Sequence, residues 1–133
     1  MQFHPNELFL IYDPQSNVGR QTKALALDLC SHINEVDVRH EKFSPTYWRE
    51  VVTMLGMHPN DLLDQSHQDY KKVGANNLTM DGWLNVLTHH GHLVKYPIVI
   101  FSQSAVLCKT PTDIVKLKGK PSEKTLPHLK NYR

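Results

Sequence analysis

The sequence has little of several features that would narrow its function at once. Only two of its 133 residues are cysteine, Cys30 and Cys108, which excludes a small secreted domain held by many disulfides. No apolar run approaches the roughly 20 residues of a membrane helix, and no signal peptide is evident, so we expect a cytoplasmic protein without a membrane partner. The formal net charge is only +2, which makes a nucleic-acid partner unlikely on charge alone.

The positive charge that the sequence does have gathers near its carboxyl end. We interpret residues 118–133 as a solvated basic tail rather than a nucleic-acid-binding segment, because termini are commonly loosely ordered. The preceding residues 1–117 suit one domain in length, and an apolar fraction of 40% for the chain suffices for one core. The basic residues of this end are Lys116, Lys118, Lys120, Lys124, Lys130 and Arg133.

The first part of the chain predicts a strand, a helix and a second strand. Residues 7–12 are a compact apolar run that ends at Asp13-Pro14, which is typical of a buried strand followed by a turn. From Asn17 the spacing becomes helical, with Ser16 or Asn17 as the cap and an apolar stripe from Val18 to Ile33. Weak alternation over residues 36–40 predicts the second strand.

The middle of the chain predicts helices. Ser44-Pro45 is typical of a capped helix start, and Gly56 of its end. Residues 60–65 indicate another short helix, whereas residues 66–78 carry no clear period. Thr79 is placed to cap a helix that runs to about His89. We therefore predict a helical insertion at about residues 44–92.

Two strands and a helix are predicted to follow this insertion. Residues 97–101 read as a strand, Ser102-Gln103 as a tight turn, and residues 104–108 as the returning strand of a hairpin. The segment from Thr110 to Asp113 matches a capping box with proline in the first turn. The predicted order is therefore β-α-β, then helices, then β-β-α.

This order and three motifs resemble the arsenate reductase (ArsC)/Spx family. Tyr12-Asp-Pro-Gln-Ser16-Asn-Val-Gly-Arg20-Gln-Thr22 is similar to that family's Tyr-Asn-Pro-x-Cys-x-x-x-Arg-x-Thr. Tyr96-Pro97-Ile-Val is similar to its Arg-Pro-Ile-Val, and Leu107-Cys108-Lys109 to its closing hairpin. The resemblance spans roughly residues 7–117. It implies an α/β, thioredoxin-like three-layer fold with a mixed β-sheet and an inserted helical subdomain.

The chain departs from the family pattern where the resemblance implies chemistry. Ser16 stands at the position of the family's nucleophilic cysteine. The three arginines that hold the oxyanion in arsenate-reducing members correspond to Asp64, Tyr96 and Lys109. We therefore expect no ordinary arsenate reduction, and whether the protein is an enzyme at all stays open.

Serine cannot replace the thiol in this chemistry. A helix amino terminus lowers the pKa of a cysteine thiol, whereas a serine hydroxyl needs a neighbouring base before it attacks anything. His4 and His40 are conceivable bases, but both are more typical of surface histidines. The terminus still favours anions, and the alternative is that its residues only cap the helix.

A candidate pocket for an anion or another ligand follows from the same resemblance. The resemblance implies a cis peptide before Pro97, facing the Ser16 loop, which leaves a backbone edge open to an extended ligand. No catalytic residue and no metal is expected in this pocket. Its members would be Ser16, Asn17, Arg20, Tyr96, Pro97 and Lys109.

The cysteines and histidines outside this pocket have simpler interpretations. Cys30 is expected to pack in the core, and Cys108 is an alternative position for a relocated redox thiol; we expect the two to stay unbridged. His89-His90-Gly91-His92 is better explained as a cationic helix end than as a metal site, because no second ligand cluster accompanies it.

Two functions from different classes remain. The first is a binding or regulatory module without thiol redox chemistry, with a protein partner for which the Spx resemblance implies the transcription machinery. The alternative is a glutathione-dependent oxidoreductase that takes its thiol from glutathione or from Cys108. Apart from glutathione in that alternative, no cofactor is expected.

Overall fold

A mixed four-stranded sheet is at the centre of the fold. The structure, a computed structural model, describes residues 7–30, 32–74 and 78–117. Its strands are Leu8–Tyr12 (β1), Ile33–Asp37 (β2), Ile98–Phe101 (β3) and Ser104–Leu107 (β4), in the spatial order β2-β1-β3-β4. β1 is parallel to β2 and antiparallel to β3, and β3 is antiparallel to β4. The predicted β-α-β and β-β segments are therefore present.

One face of the sheet is covered by a helix that links β1 to β2. This helix is α1, Asn17–Leu29, and it packs with the 3₁₀ helix Pro111–Lys116. Side chains from β1 and β3 alternate onto this face, as the period of a strand requires. The resulting core cluster consists of Leu8, Leu10, Tyr12, Ala26, Val99, Phe101, Cys108, Ile114 and Leu117.

The described chain divides into two compact units. The sheet unit comprises the described residues up to 39 and from 96 to 117, and the helical unit is His40–Lys95. The helical unit contains α2, Pro45–Leu55, and α3, Met80–His89, which pack against each other. Its other elements are the 3₁₀ helices Pro59–Leu62, Gln68–Val73 and Gly91–Leu93.

The buried side chains of the helical unit include many large ones. A single antiparallel bridge joins Leu63 to Val94, so the segments on either side of α3 meet. Aromatic rings stack beside α2, where the ring centroids of Phe43 and Tyr47 are 4.4 Å apart. The most buried of these side chains are Trp48, Val51, Leu62, Leu63, Leu84, Leu87 and Leu93.

The predicted N-caps of three helices and the predicted glycine end of α2 are confirmed. Ser16, Ser44 and Thr79 each occupy an N-cap position, and each hydroxyl accepts a hydrogen bond from a backbone N–H of the first turn. Gly56 ends α2 with a φ of 66°, the left-handed conformation that favours glycine. The Asp113 carboxylate accepts the N–H of Thr110 at 3.1 Å, as the predicted capping box requires.

Four sequence-based assignments need correction. β2 is Ile33–Asp37 rather than residues 36–40, and α1 ends at Leu29, so Ile33 is a strand residue and not part of the helical stripe. Cys30 follows α1 with extended backbone angles, which ends the helix without a glycine or proline. β4 ends at Leu107, and the predicted featureless segment 66–78 contains the 3₁₀ helix Gln68–Val73. The proposed tail at 118–133 lies outside the described residues.

Candidate functional site

The candidate residues of the sheet unit converge at one end of the sheet. Ile11 pairs with Ile98 in the antiparallel register, so the next step along each strand brings Pro97 beside Tyr12. The Cys108 N–H donates to the Pro97 carbonyl oxygen at 2.9 Å. The carboxyl ends of β1 and β4 and the amino end of β3 therefore meet. The loop bearing Ser16 and the segment bearing Lys109 both leave the sheet at this end.

Ser16 is the N-cap of α1. Its Oγ accepts a hydrogen bond from the Gly19 N–H at 3.1 Å, and its own N–H donates to the Asp13 carbonyl oxygen at 2.9 Å. The Asp13 carboxylate accepts the Gln15 N–H at 2.9 Å. These bonds close a tight turn between β1 and α1. The Ser16 hydroxyl is thus a capping group, and no described histidine of the sheet unit is shown bonded to it.

The turn requires glycine at position 19. A Cβ at this position would lie 2.6 Å from the Asp13 carbonyl oxygen and 3.1 Å from a ring carbon of Tyr12. The Asp13 carbonyl oxygen is a backbone atom and could move away from such a Cβ only if the turn opened. The sequence analysis missed this residue. The signal was a glycine in the first turn of a helix, a position where glycine lowers helix stability unless something requires it.

Arg20 holds the same turn from outside. Its guanidinium donates to the carbonyl oxygens of Pro14 at 3.3 Å and Gln15 at 3.0 Å, and to the side-chain oxygen of Asn17. These three bonds use guanidinium N–H groups that would otherwise be available to an anion. Asn17 and Arg20, both predicted pocket residues, are therefore bonded to each other in the structure, and a ligand at this terminus competes with that contact.

Tyr96, Pro97 and Lys109 complete the predicted set. The Tyr96–Pro97 peptide is cis, which confirms that prediction. Burial raises the pKa of the half-buried Tyr96 phenol, so it stays protonated at neutral pH. Lys109 is exposed, and its N–H donates to the Asp113 carboxylate at 3.0 Å. Because its neighbour Cys108 is hydrogen-bonded to Pro97, Lys109 lies near the amino end of β3.

Two other residues from the sequence analysis belong to the helical unit. The Asp64 carboxylate accepts hydrogen bonds from the Ser66 hydroxyl and N–H, which hold its pKa below the usual range. It acts there as a turn residue. His40 is exposed and also lies in this unit, whereas His4 lies outside the described residues.

Neither cysteine is bridged, which confirms that prediction. Cys108 is fully buried, and burial raises its thiol pKa to about 12, so it carries no thiolate at neutral pH. Cys30 packs against the core cluster, as predicted, but it is only half-buried, and its thiol donates to the His32 carbonyl oxygen at 3.0 Å. Cys30 follows α1, at the opposite end of the helix from Ser16.

A triad of Tyr12, Glu35 and Lys23 anchors β1 to its neighbours and was not predicted. The Tyr12 hydroxyl donates to Glu35 Oε1 at 2.5 Å, and Lys23 Nζ lies 3.1 Å from the same oxygen. Burial, followed by this contact with Glu35, raises the pKa of Tyr12 to about 12. The hydrogen bond from Tyr12 lowers the pKa of Glu35. The triad joins β1, β2 and α1 directly below the Ser16 turn.

The described residues contain neither a metal-binding cluster nor a membrane-spanning helix. Within residues 7–30, 32–74 and 78–117, no group of three or more His, Cys, Asp or Glu side chains is arranged to hold a metal ion. In the same part of the chain, no helix combines the length and apolar character needed to cross a bilayer.

Comparison with known proteins identifies similar solved structures. The chain is similar to an arsenate reductase from Vibrio cholerae, with 18% identity and a TM-score of 0.75 over 84% of this chain and 97% of that one. A presumed arsenate reductase from Yersinia pestis matches with 20% identity and a TM-score of 0.75 over 82% and 98%. An ArsC-family-related protein from Bacteroides fragilis matches with 16% identity and a TM-score of 0.68 over 84% and 99%.

These structural neighbours are ArsC-type proteins, and at such low identity the likeness shows the fold alone. No protein-family model and no curated protein matches the sequence. The fold is therefore α/β and thioredoxin-like, as the sequence analysis predicted.

Proposed function

We propose that this thioredoxin-like protein is a binding or regulatory module that lacks thiol redox chemistry at its Ser16 turn. One observation carries the proposal: a serine hydroxyl, bonded to the Gly19 N–H, caps α1 where the resemblance implies a nucleophilic cysteine. A hydroxyl supplies no anion near neutral pH and forms no mixed disulfide. The turn would then serve recognition rather than catalysis.

The ligand would occupy the end of the sheet at which Ser16, Pro97 and Lys109 converge. The amides that begin α1 favour an acidic group, and the exposed Lys109 adds a positive charge. Arg20 acts as a clamp on the turn, because three acceptors of the turn already occupy its guanidinium. An acidic or extended segment of a protein partner fits this chemistry. The transcription machinery remains the partner that the Spx resemblance implies, in a cytoplasmic setting.

The alternative is an oxidoreductase that obtains its thiol elsewhere. The version that uses Cys108 is disfavoured, because burial raises the pKa of this thiol to about 12. The version that uses glutathione needs no protein thiol. Two glutathione molecules would supply the two electrons that reduce arsenate to arsenite, and would leave as one glutathione disulfide.

Arsenite production separates the two functions. Purified protein is supplied with arsenate, glutathione and glutaredoxin in excess, beside a protein-free reaction and a Ser16→Ala variant. We expect all three rates to be equal. A rate well above the protein-free value would overturn the proposal, and its loss in Ser16→Ala would place the activity at the turn.

A further inference from the structure

The histidines of this protein are concentrated in the helical unit. Of the nine in the sequence, six lie between residues 40 and 95: His40, His58, His67, His89, His90 and His92. Three of them are neighbours in space. The ring centroids of His67 and His92 are 5.6 Å apart, and those of His90 and His92 are 6.1 Å apart. The proposed function uses none of them.

His67 caps a helix through a nitrogen that must be unprotonated. It occupies the N-cap of the 3₁₀ helix Gln68–Val73, where its Nδ1 accepts the Asp69 N–H at 3.0 Å. A neutral imidazole with its proton on Nε2 has a lone pair on Nδ1 for this bond. The imidazolium form has a proton on both nitrogens and therefore cannot accept. Protonation of His67 and this cap are mutually exclusive.

Charged groups from several elements face this histidine. Asp69 lies on its own helix and Asp64 in the preceding turn, and both interact electrostatically with His67. From the segment 91–93, His92 Nε2 lies 3.1 Å from Asp69 Oδ2. Lys72 Nζ lies 3.4 Å from Asp69 Oδ1, and Lys95 acts on Asp64. The carboxylates of Asp64 and Asp69 are thus in place to accept a protonated His67 ring, and His92 competes with that ring for Asp69.

We propose that His67, Asp69 and His92 form a proton-operated latch in the helical unit. At neutral pH, His67 caps the helix Gln68–Val73. When His67 takes up a proton, its ring leaves the Asp69 N–H and turns toward the carboxylates of Asp64 and Asp69. His92 keeps Asp69 attached to the segment 91–93 while the start of the helix opens. Mild acid therefore loosens the start of the helix Gln68–Val73.

His58 provides an internal comparison. It caps the 3₁₀ helix Pro59–Leu62 in the same way, with its Nδ1 accepting the Asn60 N–H at 3.0 Å. Its ring packs edge-on against Trp83, with centroids 5.3 Å apart, instead of against a second histidine. Its cap has the same chemistry, but its ring packs against no second histidine. A change in protection of the Asn60 amide on acidification therefore reports the loss of this cap without any contribution from the histidine cluster.

The latch is tested by NMR and by amide hydrogen exchange. At neutral pH, the ¹⁵N shifts of the His67 ring should show the proton on Nε2. Between about pH 7.5 and 5.5, protection of the Asp69 and Tyr70 amides, corrected for intrinsic exchange, should fall about fivefold, as expected for one lost N-cap. The Asp69 amide shift should follow the His67 ring with one midpoint. A proton on Nδ1, or constant protection, overturns the proposal.

Two variants separate the latch from general acid effects. His67→Asn places an N-cap residue that does not titrate, so protection at Asp69 should become independent of pH. His92→Gln keeps a hydrogen-bonding group beside Asp69 but removes a competing positive charge, so the release should move to higher pH. If His67→Asn retains the pH-dependent release, His67 is not its origin and the proposal is wrong.

Discussion

The sheet unit and the helical unit are held in shape by different kinds of contact. In the sheet unit, the candidate site depends on residues far apart in sequence, such as Tyr12 and Glu35, and on the pairing of β1 with β3. In the helical unit, four of the five described helices begin at a side chain that caps them within three residues, namely Ser44, His58, His67 and Thr79, and Gly91–Leu93 is the exception. Local sequence therefore specifies the helical elements, whereas tertiary pairing builds the site.

The two units also differ in the ionisable groups that they contain. Most histidines lie in the helical unit, whereas His32 is the histidine of the sheet unit within the described residues. In the sheet unit, the Tyr12–Glu35 hydrogen bond responds to strong alkali through the raised pKa of Tyr12 and to acid through the lowered pKa of Glu35.

The largest effect is expected at the close approach in the Ser16 turn. Gly19→Ala places a Cβ 2.6 Å from a backbone oxygen, and such overpacking costs about 1–3 kcal/mol. The better helix propensity of alanine offsets about 1 kcal/mol at most. We expect a net loss of up to about 2 kcal/mol in the free energy of unfolding by urea. Gly91→Ala is the matched control, because nothing lies within 4 Å of its Cβ position. Equal losses in both variants would contradict the account.

The loss of a helix cap should have the next largest effect on the free energy of unfolding. It tests whether local contacts specify the helices of the helical unit. Thr79→Ala removes the hydroxyl that accepts the Gly82 N–H at 3.1 Å, and we expect a loss of about 1 kcal/mol. Thr53→Ala is the control, because Thr53 lies inside α2 and only donates to the Arg49 carbonyl oxygen. Urea unfolding measures both variants. A larger loss at Thr53 than at Thr79 would sink the capping argument.

The sequence predicted the parts of each unit that local chemistry determines. The caps at Ser16, Ser44 and Thr79 and the glycine end of α2 follow from residue types at fixed spacings. The start of β2 was misplaced because no glycine or proline marks the end of α1, and Ile33 continues the helical spacing of Leu29. β1 alone determines where this half-buried edge strand begins, through the pair Leu8–Ile33.

The candidate site shows the same division. The cis peptide before Pro97 was predicted from the resemblance, and the cap at Ser16 from its position. The role of Gly19, the clamp by Arg20 and the Tyr12–Glu35 hydrogen bond were not, since each depends on where folded backbone and side chains approach each other.

A smaller effect is expected at Glu35, and its sign depends on pH. Because the Tyr12 hydrogen bond lowers the pKa of Glu35, its contribution is present above the unfolded value of about 4.3 and is lost as pH falls through the folded pKa. Glu35→Gln should lose less than about 1 kcal/mol at neutral pH, because its side chain is 39% exposed, and the loss should shrink as the pH falls through the folded pKa. Unfolding at several pH values measures this difference. A difference that grows toward acid would contradict it, and Glu41→Gln controls for net charge.

The smallest effect is expected at a surface ion pair of the helical unit. Arg49 Nη2 lies 2.8 Å from Asp81 Oδ1, but the two side chains are 57% and 83% exposed. Solvent screens such pairs, so Arg49→Gln should change the free energy of unfolding by less than about 0.5 kcal/mol. Thermal and urea unfolding should agree on this. A loss as large as that of Thr79→Ala would mean that ion pairs, rather than caps, hold this unit.

The central claim is that the Ser16 turn keeps a frame able to stabilise a thiolate while lacking the thiol. The direct test is the alkylation rate of Ser16→Cys as a function of pH, in a Cys30→Ser background. Burial keeps Cys108 protonated, with a pKa of about 12, so the new thiol dominates the reaction. The account predicts that it titrates below the free-cysteine value of about 8.5, because it lies at the amino terminus of α1. A thiol pKa at or above that value would show that the frame has been lost together with the cysteine.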